Sequence, residues 1–285
     1  MSSCDSCKSK DQCGSAGSGS CPSDSSSQKK SMIEPLHPKS KVSKVYGICS
    51  GKGGVGKSLV TSILAARLAR DGYRVGILDA DVTGPSIPKA FGLSGQLKGS
   101  EDGMIPAVSH SGIQIVSVNL LMENEEAPVI WRGPVIAGVV KQFWSEVIWN
   151  EIDVLLVDMP PGTGDVPLTV FQSIPLDGII LVSTPQDLVS MIVNKARNMA
   201  LMMNVKILGF VENMSYIVCE HCGEKMSVFG EGGVDKAAAQ LGVPVFDKVP
   251  IDPSVTKLVD QGEIEKINTD ILRHTAEQIE ELLSK

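Results

Sequence analysis

The stretch Gly51-Lys52-Gly53-Gly54-Val55-Gly56-Lys57-Ser58 constrains the fold more than any other part of the chain. It fits the phosphate-binding pattern G-x-x-x-x-G-K-[ST]. Glycines at these positions let backbone N–H groups curl around phosphate oxygens. A helix that begins where the loop ends adds its positive dipole end. Such a loop needs a strand before it and a helix after it, and the sequence supplies both. Lys44–Ser50 (KVYGICS) reads as a buried strand, and Lys57–Asp71 carries Val60, Ile63, Leu64 and Leu68 at helical spacing. Lys57 is expected to reach the β- and γ-phosphates of a nucleotide, and the Ser58 hydroxyl to bind Mg²⁺.

The rest of the chain continues in the same way. Arg74–Leu78, Ile113–Val118, Val154–Val157, Ile179–Val182, Ile207–Val211 and Val243–Phe246 read as strands. Helical stretches lie near Pro134–Trp149, Val166–Gln172, Val189–Asn204 and Gly233–Gln240, and Thr269–Ser284 reads as a closing helix packed on the body. Apolar strands separated by helices predict an α/β fold of three layers, a mostly parallel twisted sheet flanked by helices. Hydrophobic residues, 42% of 285, are enough to fill its core.

Two strands end in acids: Leu78-Asp79-Ala80-Asp81 and Leu155-Leu156-Val157-Asp158. Carboxylates at the carboxyl ends of parallel strands face the crevice where such folds bind ligands. Either acid alone could be a cap or a turn residue; together beside a phosphate loop they point to one site. Pro160-Pro161-Gly162-Thr163-Gly164-Asp165 follows as a candidate switch loop, since its glycines permit a backbone change.

Cysteine usage adds a second chemistry. Residues 1–41 are Ser- and Gly-rich and read as a disordered tail, yet they hold Cys4, Cys7, Cys13 and Cys21, four of the seven cysteines. In the folded part Cys219-Glu220-His221-Cys222 is a C-x-x-C pair, half of a four-sulfur site. Cys49 lies on the strand before the phosphate loop and is expected to be buried and inert. The simplest completion is the same pair from a second subunit across a two-fold axis. Zn²⁺ and a bridging 4Fe-4S cluster both fit such a cage. A thioredoxin-like redox pair uses the same spelling but belongs at a helix N-terminus in a different fold. His221 is read as a solvated bystander.

Charge and hydropathy narrow the partners. Lys+Arg number 26 against 33 Asp+Glu, a net charge of −7, and aromatics are 4%, so neither a phosphate-backbone grip nor base stacking is expected as the main function. No apolar run approaches the ~20 residues of a membrane span, and the Ser-rich N-terminus has no apolar signal core. The expectation is a cytoplasmic protein with no nucleic-acid and no membrane partner, its closely spaced thiols serving metal or redox chemistry.

Lys52 together with Gly53–Ser58 resembles the deviant Walker A motif of the MinD/ParA/nitrogenase-iron-protein class of P-loop ATPases. The resemblance implies ATP as the nucleotide, with Lys52 crossing a dimer interface to the partner's ATP. It implies that Asp81 orients the attacking water, that Asp79 sits near Mg²⁺ through a water, and that Asp158 is the Walker B acid near Mg²⁺. Asn213, in Glu212-Asn213-Met214, matches the residue that hydrogen-bonds adenine, and Pro250-Ile251-Asp252 resembles the loop that closes over the base. With Asp79–Ser86, Trp131-Arg132-Gly133-Pro134, Asp158–Asp165, Glu212–Ser215 and Cys219–Cys222 added, the chain is similar to the Mrp/ApbC branch over nearly all of residues 42–285. That branch implies a homodimer with slow ATP hydrolysis. It implies a labile 4Fe-4S cluster on Cys219 and Cys222 of both subunits, passed to recipient apoproteins. The tail's Cys4-x₂-Cys7-x₅-Cys13 resembles the cysteine-rich extension of the eukaryotic scaffold members, without that motif's first cysteine. Cys21 is the candidate fourth ligand of a second iron–sulfur site, and a related scaffold or assembly protein is a further expected partner. The expected organisation is therefore a tail over 1–41 and a P-loop ATPase domain over 42–285. The rival reading is a partition or spatial-regulator ATPase with a structural zinc at the C-x-x-C. The acid excess argues against DNA binding. Glu277, Glu280 and Glu281 against Arg273 and Lys285 argue against a membrane-seeking terminal helix.

Overall fold

Val45–Ser50 is buried along its whole length, which a strand achieves only when both sheet faces are covered. The computed structural model describes residues 33–81, 86–121, 133–162, 164–186, 197–198 and 200–285. Its strands in chain order are β1 (Lys41–Ser50), β2 (Val75–Asp79), β3 (Lys98–Ser100), β4 (Gly103–Ile105), β5 (Ala107–Val108), β6 (Gln114–Ser117), β7 (Glu151–Asp158), β8 (Gly178–Ser183), β9 (Ile207–Glu212), β10 (Ile217–Val218), β11 (Lys225–Met226) and β12 (Val245–Lys248). Eight of them form one sheet in the order β12-β9-β8-β1-β7-β2-β6-β5. Its ladders are parallel except the edge pair β5–β6. β3–β4 and β10–β11 are separate antiparallel hairpins.

Alternate residues feed two cores. On β7, Leu155 and Val157 join Phe143, Trp144 and Trp149 on one face. Val154 and Leu156 face Ile63, Leu64 and Ile279 on the other. The first face is covered by α3 (Gly133–Ser145) and α4 (Asp165–Ser173), the second by α1 (Lys57–Arg70) and the closing helix Arg273–Leu283. α2 (Ile87–Ala90) is a single turn. This is the expected three-layer parallel architecture. No helix among the described residues is long and apolar enough to cross a membrane.

Several expectations shift at their edges. The closing segment starts as a 3₁₀ turn, Thr269–Leu272, before the α-helix. The helix Pro253–Asp260 follows the base-loop candidate, where the sequence reading placed no element. The helix expected over Val189–Asn204 falls largely outside the described residues, although residues 200–202 are helical. Residues 34–40, assigned to the tail from composition, instead lie on the body. The Glu34 N–H donates to the Ser173 carbonyl at 2.9 Å, Trp144 Nε1 donates to the Glu34 carbonyl at 2.9 Å, and Leu36 packs on the core. Ser40 Oγ donates to the Val147 carbonyl at 3.1 Å and Lys141 Nζ pairs with Glu34 at 3.2 Å, so long-range bonds anchor this segment, a signal that composition does not carry. Cys4, Cys7, Cys13 and Cys21 lie outside the described residues, as do Val82–Pro85, Trp131, Arg132 and Thr163.

Candidate functional site

β1 sits at the centre of the sheet, so its carboxyl end opens at the crevice between β7 and β8, where α/β folds hold ligands. Gly51–Gly56 turns there from β1 into α1. Gly54 (φ +77°) and Gly56 (φ +80°) both take the left-handed conformation the turn requires. With Ser50, Lys57, Ser58, Asp81 and Pro161, the loop lines a cleft of ≈ 390 Å³. The candidate switch loop is tied to it, Gly162 N–H donating to the Ser50 carbonyl at 3.0 Å.

The acids converge under this cleft. Asp79 and Asp158 are register partners on β2 and β7, 1% and 0% exposed. Lys57 Nζ lies 2.9 Å from Asp158 Oδ1 and 3.4 Å from Asp81 Oδ2. Ser58 Oγ donates to Asp158 Oδ2 at 2.5 Å, and Thr61 Oγ1 donates to its Oδ1 at 3.1 Å. Asp79 accepts from Ser117 Oγ at 2.9 Å and from the Asp81 N–H at 3.1 Å. Burial pushes both buried carboxyls above the usual range. Asp79 goes well above, because Asp158 repels it, while Lys57 pulls Asp158 back. Burial works against the Lys57 ammonium, but Asp158 and Asp81 more than offset it and raise its pKa. The site therefore gathers Lys57, Ser58, Asp79, Asp81 and Asp158 at one spot. Thr61, four residues after Lys57 on the same helix face, is readable in the sequence once the helix is placed. Ser117 reaches Asp79 only because β6 neighbours β2, which no local pattern encodes.

The other candidates are placed less simply. Lys52 Nζ donates to Gln186 Oε1 of the same chain. The Asn213 amide is buried and donates to the Val55 carbonyl at 2.9 Å, tying the end of β9 to the phosphate loop. The Asp252 carboxylate caps the helix Pro253–Asp260 by accepting from the Ser254 N–H at 2.8 Å. Asn213, Pro250 and Asp252 line one apolar slot of ≈ 300 Å³, with Leu59 and Ile63 of α1 on its inner side. Leu59 also lines the phosphate-loop cleft, so the two spaces adjoin.

Cys219 and Cys222 occupy the turn of the β10–β11 hairpin. The Cys219 N–H donates to the Glu224 carbonyl at 2.9 Å, and the Gly223 N–H donates to the Cys219 carbonyl at 2.8 Å. The hairpin leans on Tyr216, whose ring centroid is 4.4 Å from Lys225 Nζ. Cys222 is exposed and Cys219 half-buried. The backbone N–H groups of Cys222 and His221 hold the Cys219 thiol below its ordinary value. Cys49 is buried, its thiol pushed up to about 12 by that burial, as expected of an inert position. Among the described residues no group of three or more His, Cys, Asp or Glu is arranged to hold a metal.

Comparison with known proteins gives the family and the fold. The family model described as ParA, NUBPL iron-transfer P-loop NTPase, matches residues 41–285. An iron-sulfur cluster carrier protein of Clostridium perfringens is 46% identical over 275 residues, 93% of this chain and 94% of that protein. One from Methanocaldococcus jannaschii is 46% identical over 225 residues, 78% of each chain. A nucleotide-binding protein of Archaeoglobus fulgidus, solved in complex with ADP, superposes with a TM-score of 0.71 at 42% identity, covering 79% of this chain and 88% of that one. The cell division ATPase MinD of Pyrococcus furiosus, at 20% identity and a TM-score of 0.60 over 84% of this chain and 99% of its own, shares the fold. Residues 41–285 thus carry both the match and the architecture, and the chain belongs to the ParA-type NUBPL iron-transfer P-loop NTPase family.

Proposed function

We propose that this chain is an ATP-binding iron–sulfur cluster carrier that holds a 4Fe-4S cluster as cargo between two copies of itself and passes it to apoproteins. The observation that carries the reading is the isolated thiol pair. Cys219 and Cys222 stand on an accessible hairpin, and no third ligand accompanies them among the described residues. Two thiolates are half of a four-sulfur cage, and a two-fold axis supplies the other half. The iron–sulfur carrier names of the relatives support iron over zinc. Transfer then needs only ligand exchange: each Cys–iron bond is replaced by a recipient thiolate, with no net redox change.

Slow ATP hydrolysis belongs to the same reading. Lys57, now paired with Asp158, would move its ammonium onto the β- and γ-phosphates. Asp81 would accept a hydrogen bond from the attacking water and orient it. Lys52 of each subunit would serve the partner's nucleotide. The Asn213 side chain and the loop Pro250–Asp252 would enclose adenine in the apolar slot. Ser58 Oγ and Asp158 Oδ2, 2.5 Å apart, with Asp79 on the next strand, are hard oxygen donors of the kind Mg²⁺ takes. Those residues would hold it, and it would neutralise phosphate charge. The tail cysteines Cys4, Cys7, Cys13 and Cys21 remain proposed ligands of a second cluster.

The deciding experiment uses full-length chains with the four tail cysteines changed to Ser. Chains with intact Cys219 and Cys222 are mixed with Cys219→Ala/Cys222→Ala chains under anaerobic reconstitution. Heterodimers are isolated by two affinity tags and assayed for iron and sulfide. The expected result is about four irons per intact homodimer and no stable cluster in the heterodimer. A full cluster in the heterodimer would exclude bridging; zinc with no sulfide in the homodimer would exclude the cluster.

A further inference from the structure

Phe229 belongs to neither the phosphate loop nor the C-x-x-C pair, yet it lines the apolar slot with Asn213, Met214 and Pro250. The other walls of that slot come from elements anchored in the body, α1, the end of β9 and the start of the helix Pro253–Asp260. Phe229 comes from a different place. It lies three residues past β11, in a segment exposed at every position from His221 to Glu231. Phe229 is 38% exposed, a large apolar residue left partly in water at the mouth of an apolar slot. Beside it Met214 holds φ at +57°, an uncommon conformation for a non-glycine residue, directly after the buried Asn213. Among the described residues, beyond the hairpin's own β10–β11 pairing and turn bonds, the segment is tied by Lys225 over the Tyr216 ring and a Ser227–Glu231 hydrogen bond of 2.7 Å. The slot therefore has fixed walls and one wall carried by the cysteine hairpin.

We propose that Phe229 stacks on the nucleotide base and so couples nucleotide occupancy to the exposure of Cys219 and Cys222. The proposal rests on the reading of this slot as the base site. A purine offers a flat π-face to a ring arriving from the open side, while Leu59 and Ile63 back it from α1. Docking of Phe229 would draw the preceding residues inward, and the two thiols lie only seven and ten residues before it. Phosphates alone, bound at Gly51–Ser58, would leave Phe229 undocked.

The test uses the cluster-free full-length chain, the state in which a carrier accepts cargo. Iodoacetamide labelling of Cys219 and Cys222 is followed by peptide mass spectrometry, with Mg²⁺ and either ADP or inorganic tripolyphosphate, and affinities are measured by calorimetry. ADP is expected to slow labelling at least about threefold and tripolyphosphate to leave it unchanged. Phe229→Ala is expected to abolish the protection and weaken ADP about five- to tenfold, the lower part of the range for base–aromatic stacking, with tripolyphosphate affinity unaltered. Phe229→Trp restores both, and unchanged thermal unfolding verifies the fold. Asn213→Ala is run beside it. If Asn213→Ala weakens ADP but not tripolyphosphate while Phe229→Ala leaves affinity and protection intact, the Phe229 proposal is overturned and the base site stands. If neither variant weakens ADP, the base-site reading itself fails. Equal protection by tripolyphosphate and ADP would mean the hairpin answers to phosphate, and the coupling through Phe229 would be discarded.

Discussion

Gly56→Ala offers a quantitative test of how the phosphate loop and the base slot are joined. Gly56 is the residue before α1, with φ at +80°. A Cβ there would stand 2.1 Å from Asn213 Nδ2, far inside contact distance. Two costs follow. The left-handed conformation disfavours alanine by about 1–2 kcal/mol. The Asn213 side chain must also leave, breaking its 2.9 Å bond to the Val55 carbonyl at about 1 kcal/mol net. The sum is about 2–3 kcal/mol. Gly54 supplies the control, because its φ is +77° but nothing lies within 4 Å of its Cβ. Gly54→Ala should incur the backbone cost alone, so the two variants should differ by about 1 kcal/mol. Urea unfolding of the nucleotide-free protein measures both. In the double variant Gly56→Ala/Asn213→Ala the obstruction is gone, so the two effects should be less than additive. Equal losses for Gly54→Ala and Gly56→Ala, with additivity in the double variant, would refute the contact argument.

Lys57→Ala should abolish ADP binding in calorimetry and lower nucleotide-free stability by about 3 kcal/mol, because it strips the cation from the buried Asp158; stability equal to the parent would show that the pair is solvated. Asp79→Asn tests the pH dependence. Burial and Asp158 hold the Asp79 carboxyl above its unfolded value of about 3.9, so over that interval the folded state binds more protons and stability falls as pH rises through the raised pKa. The variant should therefore be more stable than the parent at pH 7, with the gap closing toward pH 4 in thermal unfolding, and a gap that widens on acidification would contradict the assignment. Asp81→Asn should bind ATP and hydrolyse it more slowly, and a parental ATPase rate would remove it from water orientation. Lys52→Ala should bind ATP but lose the rise of specific ATPase activity with protein concentration; if that rise persists, the lysine does not act across the dimer.

The strand–loop–helix around Gly51–Ser58, the two strand-ending acids and the thiol pair on its short turn are all legible in the chain's local patterns. Each is local: a loop that uses its own backbone, a strand whose last residue must lie at a carboxyl end, two thiols three residues apart. Parallel strands buried on both faces left continuous apolar runs, so the layering was legible too. Tertiary structure decided what depends on which strands are neighbours. Asp79 and Asp158 lie 79 positions apart in sequence, yet they become register partners only because β2 pairs with β7, and Ser117 reaches Asp79 only because β6 pairs with β2. The same holds for Gln186 beside Lys52, for Glu34 on Trp144, and for Phe229 at the mouth of a slot built from α1 and β9. Such contacts join segments far apart along the chain, and spacing in one segment carries no information about which distant segment the fold will lay against it.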